Sequence, residues 1–97
     1  MHKLPKIWIA DDDEAIRIVL EEGLKSTGLE ISTYADGELL IKALEEDKPD
    51  LIISDIKMPG MHGYDLLKHI KNNYENENLK YTSNINLILL DIPLYLK

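Results

Sequence analysis

Ninety-seven residues allow a single domain. Hydrophobic residues make up 44% and charged ones 30%, enough for a core under a solvated surface, and 18 acidic against 11 basic residues give a net charge of −7 that argues against a nucleic-acid surface within this chain. There is no cysteine, which removes disulfides and thiol chemistry and fits a reducing cytoplasm. The stretch before the first acidic run has no apolar core of signal-peptide length, and no apolar run approaches a membrane span.

In chain order, Lys6 to Ala10 reads as a buried strand, and Asp11-Asp12-Asp13-Glu14 follows at its carboxyl end. Asp12 or Asp13 can cap a helix from about Glu14 to Thr27, with Ile16, Val19, Leu20, Gly23 and Leu24 as its apolar stripe and Gly28 as its stop. Leu29 to Tyr34 is a second strand. Asp36 caps a second helix, about Gly37 to Asp47, that turns Leu40, Ala43 and Leu44 inward. Pro49 blocks its continuation. Leu51 to Ile53 then forms a third strand, expected to be buried on both faces, with Asp55 at its carboxyl end before the Pro59-Gly60 turn. Gly63 or Tyr64 opens a third helix to about Asn73, with Leu67, Ile70 and Tyr74 on one face. The Asn-rich stretch 72 to 84 reads as a loop, and Ile85 to Leu90 as a fourth strand that Asp91 follows. His2 and His69 are expected to be exposed.

Strands and helices alternate throughout, which argues a parallel α/β sheet with right-handed crossovers. Ligands of such sheets sit outside the carboxyl ends of the strands. If the first and third strands are neighbours, Asp11, Asp12 and Asp55 converge there. Several carboxylates in one pocket repel, and a divalent cation relieves the repulsion. Hard oxygen ligands with nothing softer beside them suit Mg²⁺.

Ile7-Trp8-Ile9-Ala10-Asp11-Asp12-Asp13, followed by Asp55-Ile56-Lys57-Met58-Pro59-Gly60-Met61-His62-Gly63, resembles the receiver domain of bacterial two-component response regulators. The Trp8 strand and the Lys-Met-Pro-Gly-Met loop look most like receivers of the nitrogen-regulatory, enhancer-binding type. The resemblance covers about residues 4 to 74. It implies a flavodoxin-like, three-layer α/β/α fold with strand order 2-1-3-4, the fifth strand and last helices of the family missing, so that 1–97 is a receiver-like domain incomplete at its C-terminus. It implies Asp55 as phosphoacceptor and a sensor histidine kinase as donor. Mg²⁺ would be bound by Asp12 directly, by Asp11 mostly through water, by Asp55 and by the backbone carbonyl of Lys57. A carboxylate can serve as such a nucleophile, forming an acyl phosphate. The module is then not an enzyme in the turnover sense. Asp13 stands outside the pair and reads as a helix cap, Lys57 as a solvated side chain, Met58 and Met61 as loop packing, and Trp8 as core or partner surface.

The sequence departs from the family pattern in three places. His62 stands where the family usually has a capping Asp, and imidazole caps less well. Asp91 falls where the family has a Ser or Thr that bonds the phosphoryl group, and a carboxylate there repels it. The family's Lys after a fifth strand has no clear counterpart; Lys97 resembles it only faintly. An open edge on the fourth strand and an uncovered face beside the first helix lead to an expected homodimer or segment-exchanged dimer. The alternative function is a degenerate receiver that acts as an interaction or dimerisation module. Asp11-Asp12-Asp13 also contains the Asp-x-Asp of haloacid-dehalogenase-type phosphatases, but the cap and downstream motifs of that class are not found. A calcium loop starting at Asp11 fails because Ala15 and Ile16 stand where an oxygen ligand and a Gly are needed.

Overall fold

The computed structural model describes residues 4–74 and 86–90. The elements are β1 (Lys6–Ala10), α1 (Glu14–Lys25), β2 (Glu30–Tyr34), α2 (Gly37–Leu44), β3 (Leu51–Asp55), α3 (Gly63–Tyr74) and β4 (Asn86–Leu90). The four strands form one parallel sheet in the order β2-β1-β3-β4. β1 to β2 steps one way across the sheet, whereas β2 to β3 and β3 to β4 step the other. Right-handed crossovers therefore put α1 on one face and α2 and α3 on the opposite one. The result is the expected three-layer flavodoxin-like arrangement.

The face under α2 and α3 is sealed. Trp8, Ala10 and Ile52 of the sheet pack with Leu40 and Leu44 of α2, Leu66 and Ile70 of α3, and Met58 of the loop after β3. Trp8 and Tyr34 add a tilted ring pair with centroids 5.3 Å apart. The α1 face is sealed only at its centre, by Ile7 and Ile9. No residue of α1 is fully buried, and α1 packs chiefly against β2.

This asymmetry corrects several expectations. β3 is not dry on both faces: Leu51 and Ile53, which point toward the α1 side, are only half-buried. Val19, assigned to the inward stripe of α1, is 67% exposed, and neighbouring Ile18 is also exposed. Gly23 is exposed as well, with open space around it. Ile16, Leu20 and Leu24 are the inward residues, each half-buried. A single helix seated toward β2 leaves the β3–β4 half of this face thinly covered among the described residues, and Ile88 of β4 is 46% exposed. Among the described residues of α3 the sealed apolar side chains are Leu66 and Ile70, one helical turn apart, whereas Leu67 lies at the margin. His69 is half-buried rather than exposed.

Helix boundaries follow their caps. Asp13 Oδ1 accepts from the Ala15 and Ile16 amides at 2.9 and 3.3 Å and starts α1. Glu14 in the first turn and Lys25 in the last complement the helix dipole. α1 ends two residues before Thr27, and Gly28, with φ of 81°, reverses the chain as expected. Asp36 Oδ1 accepts from the Leu39 amide at 2.8 Å and starts α2. α2 stops at Leu44 instead of Asp47, because the amides of Glu45 and Glu46 close tighter three-residue turns onto Lys42 and Ala43. At the start of α3 the Asp65 carboxylate accepts from the His62 amide at 3.0 Å, the backward half of a capping box. The loop expected at 72–84 gives its first residues to α3, which runs to Tyr74; its remainder, the side chain of Tyr74, His2, Asp91 and Lys97 lie outside the described residues.

Candidate functional site

Parallel pairing of β1 with β3 puts Ala10 opposite Ser54, so Asp11 and Asp55 leave the sheet side by side at its carboxyl edge. This is also where the strand order reverses, the crevice in which open α/β sheets hold ligands. One carboxylate oxygen from each of Asp11, Asp12 and Asp55 lies within 4.8 Å of the others. The three aspartates marked by the sequence are thus brought together. Asp11 and Asp55 are 1% and 2% exposed, whereas Asp12 is the solvent-facing member.

Each side of the cluster is braced by backbone. The Asp11 amide donates to Tyr34 O at 3.1 Å, extending the β1–β2 ladder by one residue. Asp11 Oδ1 accepts from the Asp13 amide at 2.8 Å, so this buried carboxylate holds the residue that caps α1. On the other side the Lys57 amide donates to Asp55 Oδ1 at 3.3 Å. The Ile56 amide donates to Leu90 O at 3.0 Å, and the Gly63 amide returns to Ile56 O at 2.9 Å. The loop after Asp55 is thereby tied to both β4 and α3. The Lys57 side chain is exposed, as expected. Met58 does more than pack the loop: it is 2% exposed and enters the main core, within 4.0 Å of Ser54 Oγ. Met61 lies against the start of α2, where a side chain on Gly37 would meet its sulfur at 3.0 Å.

Two residues have contacts at the site that the sequence reading does not foresee. Arg17, in the first turn of α1, donates from Nη1 to the backbone carbonyl of Asp11 at 2.6 Å. A cation six residues after a strand-end aspartate, one turn inside the helix that follows, is the signal that could have marked it. Gly63 abuts the β3 terminus so closely that a Cβ there would stand 2.7 Å from Asp55 O and 2.9 Å from Leu89 Cδ2. Only the contact across the fold reveals that constraint.

All three carboxylates are hard oxygen donors, and among the described residues no sulfur or imidazole ligand belongs to the cluster. Such a set fits Mg²⁺, which needs few protein ligands and keeps several waters. Among the described residues no helix is long and apolar enough to cross a membrane.

The family described as response regulator receiver domain matches residues 7–85. The DNA-binding transcriptional regulator NtrC of Escherichia coli (strain K12) is 48% identical over 65 residues, which cover 67% of this chain and 14% of that protein. The chain thus spans a small part of such a regulator. Among solved structures, response regulator protein TrrA from Thermotoga maritima in complex with Mg(2+)-BeF is 30% identical, with a TM-score of 0.79 over 97% of this chain and 75% of that one. Chemotaxis response regulator CheY4 of Vibrio cholerae is 29% identical, with a TM-score of 0.72 over 88% of this chain and 68% of that one.

Proposed function

The chain belongs to the response regulator receiver domain family, and on that premise we propose that it is a phosphoacceptor module in which Asp55 takes a phosphoryl group from a sensor histidine kinase with Mg²⁺ at the acidic cluster. The observation that carries this reading is the meeting of Asp11, Asp12 and Asp55 at the ends of adjacent strands. A carboxylate oxygen of Asp55 attacks phosphorus, an acyl phosphate forms, and the bond from phosphorus to the donor imidazole breaks with its electron pair kept by the imidazole nitrogen. Such transfer asks mainly for in-line positioning and neutralisation of charge on the equatorial oxygens.

This chain's residues meet those demands in identifiable ways. The Lys57 amide donates to Asp55 Oδ1 and restrains that carboxylate. Burial of Asp55 and Asp11 keeps the reacting edge dry, and solvent-facing Asp12 marks the side from which a donor approaches. Asp12 would hold Mg²⁺ directly, Asp11 chiefly through water, with Asp55 and the Lys57 carbonyl as further ligands. When bound, Mg²⁺ supplies the positive charge that three clustered carboxylates and a phosphoryl group need. The likeness to a receiver with Mg(2+)-BeF bound supports the same site here. The module is not a turnover enzyme and works in the cytoplasm. Self-association through the β4 side, where Ile88 is exposed, is part of the reading.

One sequence feature favours a second reading. Asp91 directly follows β4, in the place of the phosphoryl-bonding hydroxyl, and opposes a stable acyl phosphate. The chain would then serve as an interaction module. Incubation with acetyl phosphate and Mg²⁺, with Asp55→Asn as control, separates the two. Mass gain of one phosphoryl group that needs both Mg²⁺ and Asp55 supports phosphoacceptance. No gain on a folded, Mg²⁺-binding chain overturns it in favour of the second reading.

A further inference from the structure

We infer that Arg17 is a positioning residue for the cation site: by gripping the Asp11 carbonyl it sets the peptide that aims the Asp11 and Asp12 carboxylates at one point. The inference rests on the phosphoacceptor reading of that cluster and extends it to a residue outside the carboxylates.

The geometry is local and over-determined. The Asp11–Asp12 peptide is held at its carbonyl by Arg17 Nη1 at 2.6 Å, a short bond from a charged donor. Arg17 is itself anchored, because its amide donates to Asp13 O at 3.1 Å in the opening turn of α1. On the near side, Asp11 is pinned by its amide to Tyr34 O and by Oδ1 to the Asp13 amide. With Asp11 pinned in this way, the Arg17 bond to its carbonyl restrains the rotation of that peptide. Rotating it swings the Cα–Cβ bond of Asp12, the exposed member of the cluster, away from Asp11 and Asp55. Arg17 is half-buried and its guanidinium is planar, which limits the ways the bond can be made.

The sign of the effect distinguishes positioning from plain electrostatics. A positive charge beside the site, acting through space alone, weakens Mg²⁺ binding, so its removal would tighten binding. A positioning role predicts the reverse. Groups that orient metal ligands typically contribute about 10- to 100-fold in affinity.

The experiment is Mg²⁺ titration of the whole 97-residue chain by calorimetry, for wild type, Arg17→Met and Arg17→Lys, with amide exchange of Asp12 and Asp13 followed by NMR in the absence of metal. We expect Arg17→Met to weaken Mg²⁺ about tenfold or more and to speed exchange of the Asp13 amide. Arg17→Lys, which keeps one donor and the charge, restores most of the affinity. Arg17→Met binding as tightly as wild type, or tighter, overturns the inference, as does Arg17→Lys binding no better than Arg17→Met. A wild type that binds no Mg²⁺ removes the functional reading itself, and is thereby distinguished from a wild type that binds while its Arg17 variants are unchanged.

Discussion

Gly63→Ala tests how tightly the start of α3 is fitted to the Asp55 strand. An added Cβ would stand 2.7 Å from Asp55 O, 2.9 Å from Leu89 Cδ2 and 3.1 Å from Ile56 Cα. The leucine methyl can rotate away. The other two contacts are backbone at the end of a central strand, and the Gly63 amide is bonded to Ile56 O at 2.9 Å, so the helix cannot slide off without losing that bond. Overpacking of this kind costs about 1–3 kcal/mol. Alanine's helix preference returns less than about 1 kcal/mol, since the site is the first helical residue. The expected net loss is about 1–2 kcal/mol, a fall in melting temperature of roughly 4–15 °C for a chain of this size. Gly23→Ala is the matched control. It lies mid-helix in α1 with nothing within 4 Å of the added methyl, and should gain about 0.5–1 kcal/mol. Urea denaturation followed by Trp8 fluorescence reads both. If Gly63→Ala unfolds at the same urea concentration as wild type or higher, the steric reasoning fails.

Three further outcomes are expected. Asp13→Ala removes the cap of α1 but leaves the Asp13 amide bonded to Asp11, so it should cost about 1 kcal/mol in urea denaturation, and no loss would contradict that bookkeeping of bonds. Mg²⁺ at 100 times its dissociation constant should raise the unfolding free energy by about 2.7 kcal/mol, an increment that thermal melts of Asp11→Asn should lack. Burial, with the Asp47 charge as a lesser cause and an opposing bond to Ser32, holds the Tyr34 hydroxyl above its usual value of 10.0. Below pH 10 both folded and unfolded chains keep that proton. Above it the unfolded chain releases the proton first, so stability falls as pH rises, and Tyr34→Phe should flatten the fall in urea midpoints measured between pH 9 and 11.

The order of elements and the meeting of the three aspartates were legible because each rests on a local signal. Asp13 and Asp36 mark helix starts, Gly28 marks a stop, and the apolar runs ending at Ala10 and Ile53 place Asp11 and Asp55 at strand ends. What was not legible depends on how far a neighbour reaches. Helical spacing puts Val19 on the stripe of α1, but it cannot tell that α1 sits toward β2 and leaves that position in solvent. The same spacing selected Leu67 over Leu66, because the direction of the α3 face is set by Met58 and the α2 leucines. The close fit of Gly63 and the grip of Arg17 stayed hidden for the same reason: both are contacts with backbone outside the residue's own element.

The lightly seated α1 has a consequence for how occupancy is felt away from the site. That helix has no fully sealed side chain of its own, yet it carries both the Asp13 cap and the Arg17 grip on the acidic loop. Among the described helices it is therefore the one that detaches at least cost, while β1 and β3 stay zipped. A cation drawn to the loop acts as a latch on the entire helix, and whatever presses the helix down tightens the loop in return. Loading the acidic edge should thus slow solvent exchange along α1 well past its first turn, so that filling the site at one end is registered as stiffness at the other.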